Sequence, residues 1–239
     1  MSYQAVFRRY ELKYLLTTAQ AQRLKQVMQP HMALDRYGRT LIRNLYFDTG
    51  DYRLIRRSLE HPVYKEKLRL RSYCRTTPDA PVFAELKKKY RSVVYKRRVA
   101  LHEAQALDWL CRGAAPPQPS QITAEIDYVL RFYGDLRPAV FLSYEREAFR
   151  ASDGGDLRLT LDENILSRTT ALSLGAEAWG APLLGRDEVL LEVKTAGGMP
   201  LWLVRFLSQE KLYKTSFSKY GAAYRDLIFT KQFGGHLYA

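Results

Sequence analysis

The 239-residue chain has few cysteines and no long uncharged stretch. Its two cysteines, Cys74 and Cys111, are too few for a disulfide framework, which favours a soluble protein of a reducing, cytoplasmic compartment. The longest stretch without a charged side chain, residues 113–124, contains three prolines, whereas a bilayer is spanned by about 20 apolar residues. No apolar run precedes Arg8, so we expect no signal peptide.

Common site motifs are also missing. The chain has neither a Gly-x-x-x-x-Gly-Lys-Ser/Thr loop nor a Gly-x-Gly-x-x-Gly segment, and its four histidines lack the spacing of zinc ligands. What it does have is charge of one sign, since 38 Lys and Arg against 25 Asp and Glu give +13. This excess predicts an anionic partner, but composition alone does not choose among nucleic acid, acidic lipid and small phosphates.

Hydrophobic periodicity predicts one α+β domain over residues 1–239, built around an antiparallel sheet. A period of two predicts eight strands, which are Arg8–Leu16, Thr40–Phe47, Lys65–Tyr73, Val82–Lys88, Ser92–Leu101, Ala139–Phe149, Asp156–Asp162 and Glu188–Thr195. A helical period predicts five helices, which are Thr17–Gln29, His102–Cys111, Gln121–Tyr133, Pro200–Leu212 and Lys219–Phe229. The segment 169–185 is predicted to be a loop.

Cations alternate with leucines along the predicted strands. Lys67, Arg69 and Arg71 share one face, whereas Leu68 and Leu70 share the other. For a single strand, this pattern is best interpreted as a solvated face. At least six of the predicted strands, however, place Lys or Arg on one face. Like charges opposite each other on neighbouring strands repel. We therefore expect the sheet to close into an eight-stranded antiparallel barrel, a tunnel whose lumen holds an anion such as a long, thin polyphosphate.

Helices packed outside would cover the leucine face. The apolar residues available for this are Leu24, Val27, Ile126 and Val129. Inside, Glu11, Glu85 and Glu192 are each followed two residues later by a lysine. Each pair places a metal-capable oxygen beside a phosphate-binding cation, but each is equally well interpreted as an ion pair that neutralises charge.

The order of short motifs resembles a known family. These motifs are Arg9-Tyr10-Glu11-Leu12-Lys13-Tyr14, Leu45-Tyr46-Phe47-Asp48-Thr49, Lys67-Leu68-Arg69-Leu70-Arg71, Glu85-Leu86-Lys87-Lys88, Tyr144-Glu145-Arg146, Leu157-Arg158-Leu159-Thr160-Leu161-Asp162, Leu191-Glu192-Val193-Lys194 and Phe217-Ser218-Lys219-Tyr220. Over residues 7–229 the chain resembles the VTC (vacuolar transporter chaperone) type polyphosphate polymerase domain, of the triphosphate tunnel metalloenzyme superfamily.

This resemblance implies an eight-stranded antiparallel tunnel, a divalent Mn²⁺ or Mg²⁺ ion, and transfer of the ATP γ-phosphate to orthophosphate, pyrophosphate or a growing polyphosphate chain. It implies that the phosphate-binding, catalytic cations are Lys13, Arg69, Arg71, Lys87, Arg146, Arg158 and Lys219. Looser matches, expected to bind the nucleotide or phosphate chain, are Lys67, Lys96, Arg98 and Lys194. Glu192 is the implied metal ligand, and Glu11 and Glu85 are further candidates.

One departure favours the polymerase branch. The hydrolytic branch of the superfamily opens with Glu-x-Glu-x-Lys, but Arg9 stands where the first glutamate would be. We expect no SPX-like or membrane segment beside the domain, so any coupling to export would need a separate membrane protein. Two alternatives stay open: hydrolysis of tripolyphosphate or a nucleoside triphosphate, and binding of polyphosphate without catalysis. Nucleic acid is not an expected partner, because Tyr10, Tyr14 and Tyr95 lie opposite the cations.

Overall fold

A computed structural model describes residues 10–91 and 93–230 of the chain. The strands are β1 (Tyr10–Thr17), β2 (Met32–Asp48), β3 (Tyr64–Ser72), β4 (Pro81–Tyr90), β5 (Val93–His102), β6 (Arg137–Ala151), β7 (Arg158–Arg168), β8 (Ala181–Pro182) and β9 (Glu188–Thr195). The helices are α1 (Thr18–Met28), α2 (Arg53–Leu59), α3 (Glu103–Arg112), α4 (Gln121–Tyr133), α5 (Leu201–Gln209) and α6 (Lys219–Ala223), and a π-helical segment follows at Tyr224–Phe229. The expected α+β class is confirmed.

The strands form one large sheet in the order β1-β9-β7-β6-β2-β3-β4-β5, and β8 pairs with β7. Every pairing with a described register is antiparallel, including β1 with β9 and β3 with β4. The expected closure is not found, since among the described residues the sheet ends at β1 and β5 instead of forming a barrel. The outer edge of β1 contacts the segment at residues 214–215 instead of another long strand. Tyr14 forms a bridge with Lys214, and the Thr215 N–H donates to the carbonyl of Lys13 at 2.8 Å.

The described chain divides into two compact units. Unit 1 contains residues 10–41, 144–165 and 184–217, and unit 2 contains residues 42–143, 166–183 and 218–230. The long strands β2, β6 and β7 contribute residues to both. The expectation of a single domain over residues 1–239 stays a prediction.

Unit 1 has its core between the sheet and helices α1 and α5. Leu159, Leu191 and Val193 of the sheet pack with Leu24 of α1 and Leu203 of α5. Thr17, the predicted first residue, is the N-cap of helix α1. Its hydroxyl accepts from the Gln20 N–H, and the Gln20 side-chain oxygen accepts from the Thr17 N–H. One expected contact is wrong: Val27 is 41% exposed, because the buried stripe of α1 runs through Ala21, Leu24 and Met28.

Unit 2 has a separate core beneath helices α3 and α4. Leu68 and Leu70 of β3 pack there with Leu86 of β4, Ile126 and Val129, and each of these side chains is at most 1% exposed. The apolar side chains of the strands therefore lie under the helices in both units, as the alternation predicts. Because successive strand residues face opposite sides, Lys67, Arg69 and Arg71 are on the other face of β3.

Several boundaries differ from the sequence prediction. The short helix α2 was not predicted. The N–H groups of Leu54 and Ile55 in its first turn donate to the Asp48 carboxylate. This contact gives no periodic signal in the sequence. The predicted loop at 169–185 contains β8, and β7 continues to Arg168. The predicted strand residues Arg8, Arg9 and Ser92, and the departure at Arg9, lie outside the described residues.

Candidate functional site

Unit 2 gathers four of the predicted cations around one carboxylate, and we call this group the Glu85 cluster: Glu85, Arg69, Arg71, Lys96 and Arg98. The Glu85 side chain on β4 is 1% exposed. Arg69 reaches it from β3 at 2.7 Å (Nη2) and 2.9 Å (Nε), and Arg98 reaches it from β5 at 2.8 Å. Lys96 lies at 3.0 Å and Arg71 at 3.8 Å. The two neighbouring strands thus converge on Glu85.

The charges of this cluster shift the pKa values of its members. Burial alone would raise the pKa of the Glu85 carboxyl, but Arg69, Arg71, Lys96 and Arg98 hold it well below its ordinary value. Desolvation lowers the pKa of the Lys96 ammonium to about 8, Glu85 opposes this, and Arg71 and Arg98 add to it. Since 47% of the Lys96 side chain is accessible, solvent screening also opposes the lowering.

Neutral side chains fix the guanidinium groups of the cluster. Arg69 donates to the Tyr46 hydroxyl at 2.8 Å, and Arg98 donates to the Tyr73 hydroxyl at 2.6 Å. Arg71 donates from Nε to the Asn44 amide oxygen at 3.0 Å. These contacts set the direction of each planar fork, which matters for bidentate phosphate binding.

Directly beside Glu85, three lysines stand opposite one another across three strands. The registers pair Lys67 of β3 with Lys87 of β4, and Lys87 with Lys96 of β5. The next row along the same strands is Arg69, Glu85 and Arg98. We call Lys67, Lys87 and Lys96 the lysine row. Like charges at directly paired positions repel each other, and Lys96 of this row pairs with Glu85 at 3.0 Å.

The last predicted cation of unit 2 is Lys219, the first residue of α6. It is 9% exposed. The preceding residue, Ser218, caps α6 by accepting from the Gly221 N–H, and its hydroxyl also lies 3.2 Å from the Lys67 ammonium. Helix α6 is therefore attached to β3 next to the lysine row.

Unit 1 has its own carboxylate, and we call this group the Glu192 cluster: Glu192, Lys13, Arg146, Asp162 and Lys194. Glu192 on β9 lies 3.2 Å from Lys194, 3.3 Å from Arg146 and 3.7 Å from Lys13. Arg146 on β6 also makes a bidentate pair with Asp162 on β7 at 2.5 and 2.6 Å. The Asp162 side chain is fully buried. Burial opposes the charge of Arg146, but Tyr144 and the two carboxylates raise its pKa well above the ordinary value.

Two further predicted residues lie one row away from Glu192. Glu11 is 3.6 Å from Lys13, which also donates to the Phe217 carbonyl at 2.9 Å. Arg158 is exposed and pairs in register with Lys194. Two of the three Glu-x-Lys pairs, at Glu11 and Glu192, are thus ion pairs in the structure.

The predicted metal ligands do not all fit a divalent ion. Four cations surround Glu85, so its oxygens do not fit a metal, and the described residues contain no group of three or more His, Cys, Asp or Glu suited to holding one. Glu192 fits better. Thr160 stands directly opposite it on β7, and the buried Thr160 hydroxyl has no hydrogen-bond partner in the described structure. Such a pair suits an ion whose remaining ligands are waters and substrate phosphates.

Sequence reasoning missed residues that support the cations. Asp162 belonged to one of the motifs without an assigned role, and its pairing with Arg146 depends on strand neighbours that alternation does not specify. Tyr46 belonged to a quoted motif without an assigned role. For Asn44 and Tyr73 the only available signal was spacing. Asn44 is two residues from Tyr46 and Tyr73 is two residues from Arg71, so each falls on the same face of its predicted strand as that neighbour.

The fold and the two clusters define an α+β protein whose antiparallel sheet carries cations braced by buried carboxylates. The chain belongs to the VTC domain family, whose model matches residues 8–228. This confirms the resemblance found in the sequence. No curated protein matches the chain.

Solved structures share the fold at low identity. A candidate adenylate cyclase from Bacillus halodurans is 17% identical with a TM-score of 0.55, over 90% of this chain and 96% of that protein. The candidate adenylyl cyclase HpAC1 from Hippeastrum, described as having a dominant triphosphatase activity, is 19% identical with a TM-score of 0.54, over 90% of this chain and 94% of that one. Within residues 10–91 and 93–230, no helix has the length and apolar character needed to cross a bilayer.

Proposed function

We propose that this chain binds a linear chain of phosphates and transfers the γ-phosphoryl group of ATP onto polyphosphate. The observation that carries the proposal is the convergence of four cations on the buried Glu85 carboxylate, with Lys67 and Lys87 in the next row on the same face of unit 2. Membership of the VTC domain family supports the same substrate class.

The arrangement suits phosphate better than other anions. Arginine forks bind two phosphate oxygens at once, whereas lysines act as compact point charges along a chain. Arg69 and Arg98 keep fixed directions through Tyr46 and Tyr73, so little ordering is needed when a ligand binds. The lysine row extends across three strands, so it can contact several successive phosphate groups, each of which carries negative charge.

Phosphoryl transfer demands mainly positioning and charge stabilisation from the protein. An acceptor oxygen of orthophosphate, pyrophosphate or a chain end attacks the γ-phosphorus, the bond to the β-phosphate oxygen breaks, and ADP leaves. In unit 2, Arg69, Arg71 and Lys87 bind the phosphate oxygens. In unit 1, Lys13, Arg146 and Arg158 do so, and Glu192 with Thr160 would hold Mn²⁺ or Mg²⁺, which neutralises developing charge when bound.

The test compares two adjacent arginines on opposite faces of β5. The purified protein is incubated with ATP and Mn²⁺ or Mg²⁺, and polyphosphate and ADP are measured as the concentration of the acceptor phosphate chain is varied. Arg98→Ala should lower phosphate-chain affinity roughly 10- to 100-fold, as expected for lost hydrogen bonds to a charged group. Arg97→Ala is the matched control, because Arg97 lies 3.2 Å from Glu125 of α4. Absence of both polymer and ADP with either metal would refute the transferase proposal.

Hydrolysis is the second candidate, supported by the fold shared with the Hippeastrum protein and its described triphosphatase activity. Water would then replace the phosphate acceptor, and the same cations would bind the substrate. Release of orthophosphate from tripolyphosphate, without chain growth from ATP, would select hydrolysis. Tight tripolyphosphate binding without turnover, unaffected by Glu192→Ala, would instead indicate a binding module.

A further inference from the structure

We propose that Tyr220 is a positioning residue that holds helix α6 and three cations of unit 2 in the arrangement that binds phosphate. The inference rests on the proposed function and extends it to a residue whose hydroxyl binds Asp48 and not one of the predicted phosphate-binding cations. Tyr220 is 2% exposed and follows Lys219 directly in α6.

The Tyr220 hydroxyl binds a carboxylate at the end of β2. It donates to Asp48 Oδ2 at 2.8 Å, and Asp48 is fully buried. The same carboxylate accepts from the N–H groups of Thr49, Leu54 and Ile55 at 2.9, 2.8 and 3.0 Å. One aspartate therefore joins the end of β2, the start of α2 and helix α6. Burial and Asp48 raise the pKa of Tyr220 well above its ordinary value, so its hydroxyl stays a donor.

The Tyr220 ring connects this anchor to the Glu85 cluster. It stacks on the ring of Tyr46 with centroids 4.6 Å apart and planes inclined by 22°. The Tyr46 hydroxyl in turn accepts from Arg69, which pairs with Glu85. A shift of Tyr220 would therefore change the position of the side chain that orients Arg69.

The same ring also lies beside the lysine row. The Lys67 ammonium is 6.0 Å from the Tyr220 ring centroid and 3.2 Å from the Ser218 hydroxyl. Lys219 lies between Ser218 and Tyr220 in the chain. Both neighbours contact strand residues, since Ser218 contacts Lys67 and Tyr220 stacks on Tyr46. Tyr220 thus acts on Lys67, Arg69 and Lys219 through contacts that a phosphate chain does not itself make.

The experiment compares two tyrosine hydroxyls of unit 2 in the full chain, on the buried Tyr220 and on the half-buried Tyr133. Tyr220→Phe removes the bond to Asp48 and keeps the ring, whereas Tyr133→Phe removes a similar bond, 2.9 Å to Glu66, on helix α4. Sodium tripolyphosphate binding is measured by calorimetry, and the melting temperature of each variant is recorded. We expect Tyr220→Phe to bind roughly 3- to 10-fold more weakly than Tyr133→Phe, as for one lost hydrogen bond, with similar losses in melting temperature.

The outcomes separate the two ideas. If wild-type protein does not bind tripolyphosphate, the proposed function fails and the positioning role fails with it. If wild-type protein binds and Tyr220→Phe binds as tightly as Tyr133→Phe, only the positioning role is refuted. If Tyr220→Phe does not fold, Asp48→Asn removes a carboxylate oxygen from the same contact and is expected to weaken binding in the same way; unchanged binding would refute the role.

Discussion

Replacing Glu85 with glutamine is the sharpest test of how the unit 2 cations are held. Glutamine keeps the size and shape of the side chain but removes its negative charge. Arg69, Arg71, Lys96 and Arg98 would then lie around a neutral group, with no carboxylate from Glu85 to offset their repulsion.

The size of the effect follows from burial. Removing one partner of a buried ion pair costs about 3–5 kcal/mol, because the other charge is left uncompensated. Glu85 is 1% exposed, but the side chains of Arg69 and Arg98 are 20% and 35% exposed and so are partly solvated. We therefore expect Glu85→Gln to lower the free energy of unfolding by about 3 kcal/mol, at the lower end of that range.

The pH dependence follows from the lowered pKa of Glu85. A carboxyl whose folded-state pKa lies below its unfolded value stabilises the fold fully above the unfolded value. That contribution is lost as the pH falls from the ordinary value of 4.5 through the folded-state pKa. The difference in stability between wild type and Glu85→Gln should therefore decrease as the pH falls below 4.5.

Urea unfolding of both proteins from neutral to acidic pH measures this difference. Added tripolyphosphate should stabilise Glu85→Gln more than wild type, since the anion replaces the missing negative charge. Equal urea midpoints for the two proteins at neutral pH would refute the structural part of the reasoning. A midpoint difference that grows in acid would refute the assignment of charge to Glu85.

Two other predictions concern the same strands. Leu68→Ala should lower the free energy of unfolding by about 2–5 kcal/mol in urea unfolding, because Leu68 is fully buried beneath helices α3 and α4; a loss well under that range would show that it is not a core residue. Since the pKa of Lys96 is about 8, tripolyphosphate affinity measured by calorimetry should fall as the pH rises through that value. Lys96→Arg, which keeps its charge, should lack this dependence, and an identical pH profile in both proteins would contradict it.

Alternation along single strands predicted much of this fold. Because strand side chains point alternately to opposite faces, the sequence placed Leu68 and Leu70 away from Arg69 and Arg71, and the structure confirms it. The eight strands were found for the same reason. Helix α2 was not, because its start depends on Asp48, which contacts it through folded geometry.

Pairing between strands is the information that alternation lacks. Nothing local places Lys13 opposite Glu192 or Arg146 against Asp162, since these contacts join residues far apart in the chain. The expectation of a closed barrel also depended on strand pairing, which alternation does not specify. Closure depends on which strands become edges, and the outer side of β1 contacts the segment at Lys214 and Thr215.

The carboxylates change what the charge excess means. From the sequence, repulsion among the strand cations could be relieved by an external anion or, at the three Glu-x-Lys pairs, by ion pairs within the sheet. In the structure, the Glu192 cluster balances much of its own charge, since Asp162 and Glu192 share Arg146 and Glu11 lies beside Lys13. In unit 2, by contrast, the Glu85 carboxylate alone lies among four cations, which are Arg69, Arg71, Lys96 and Arg98. The demand for an outside anion is therefore concentrated in unit 2, where phosphate should bind most tightly and where its loss should be felt first as ionic strength rises.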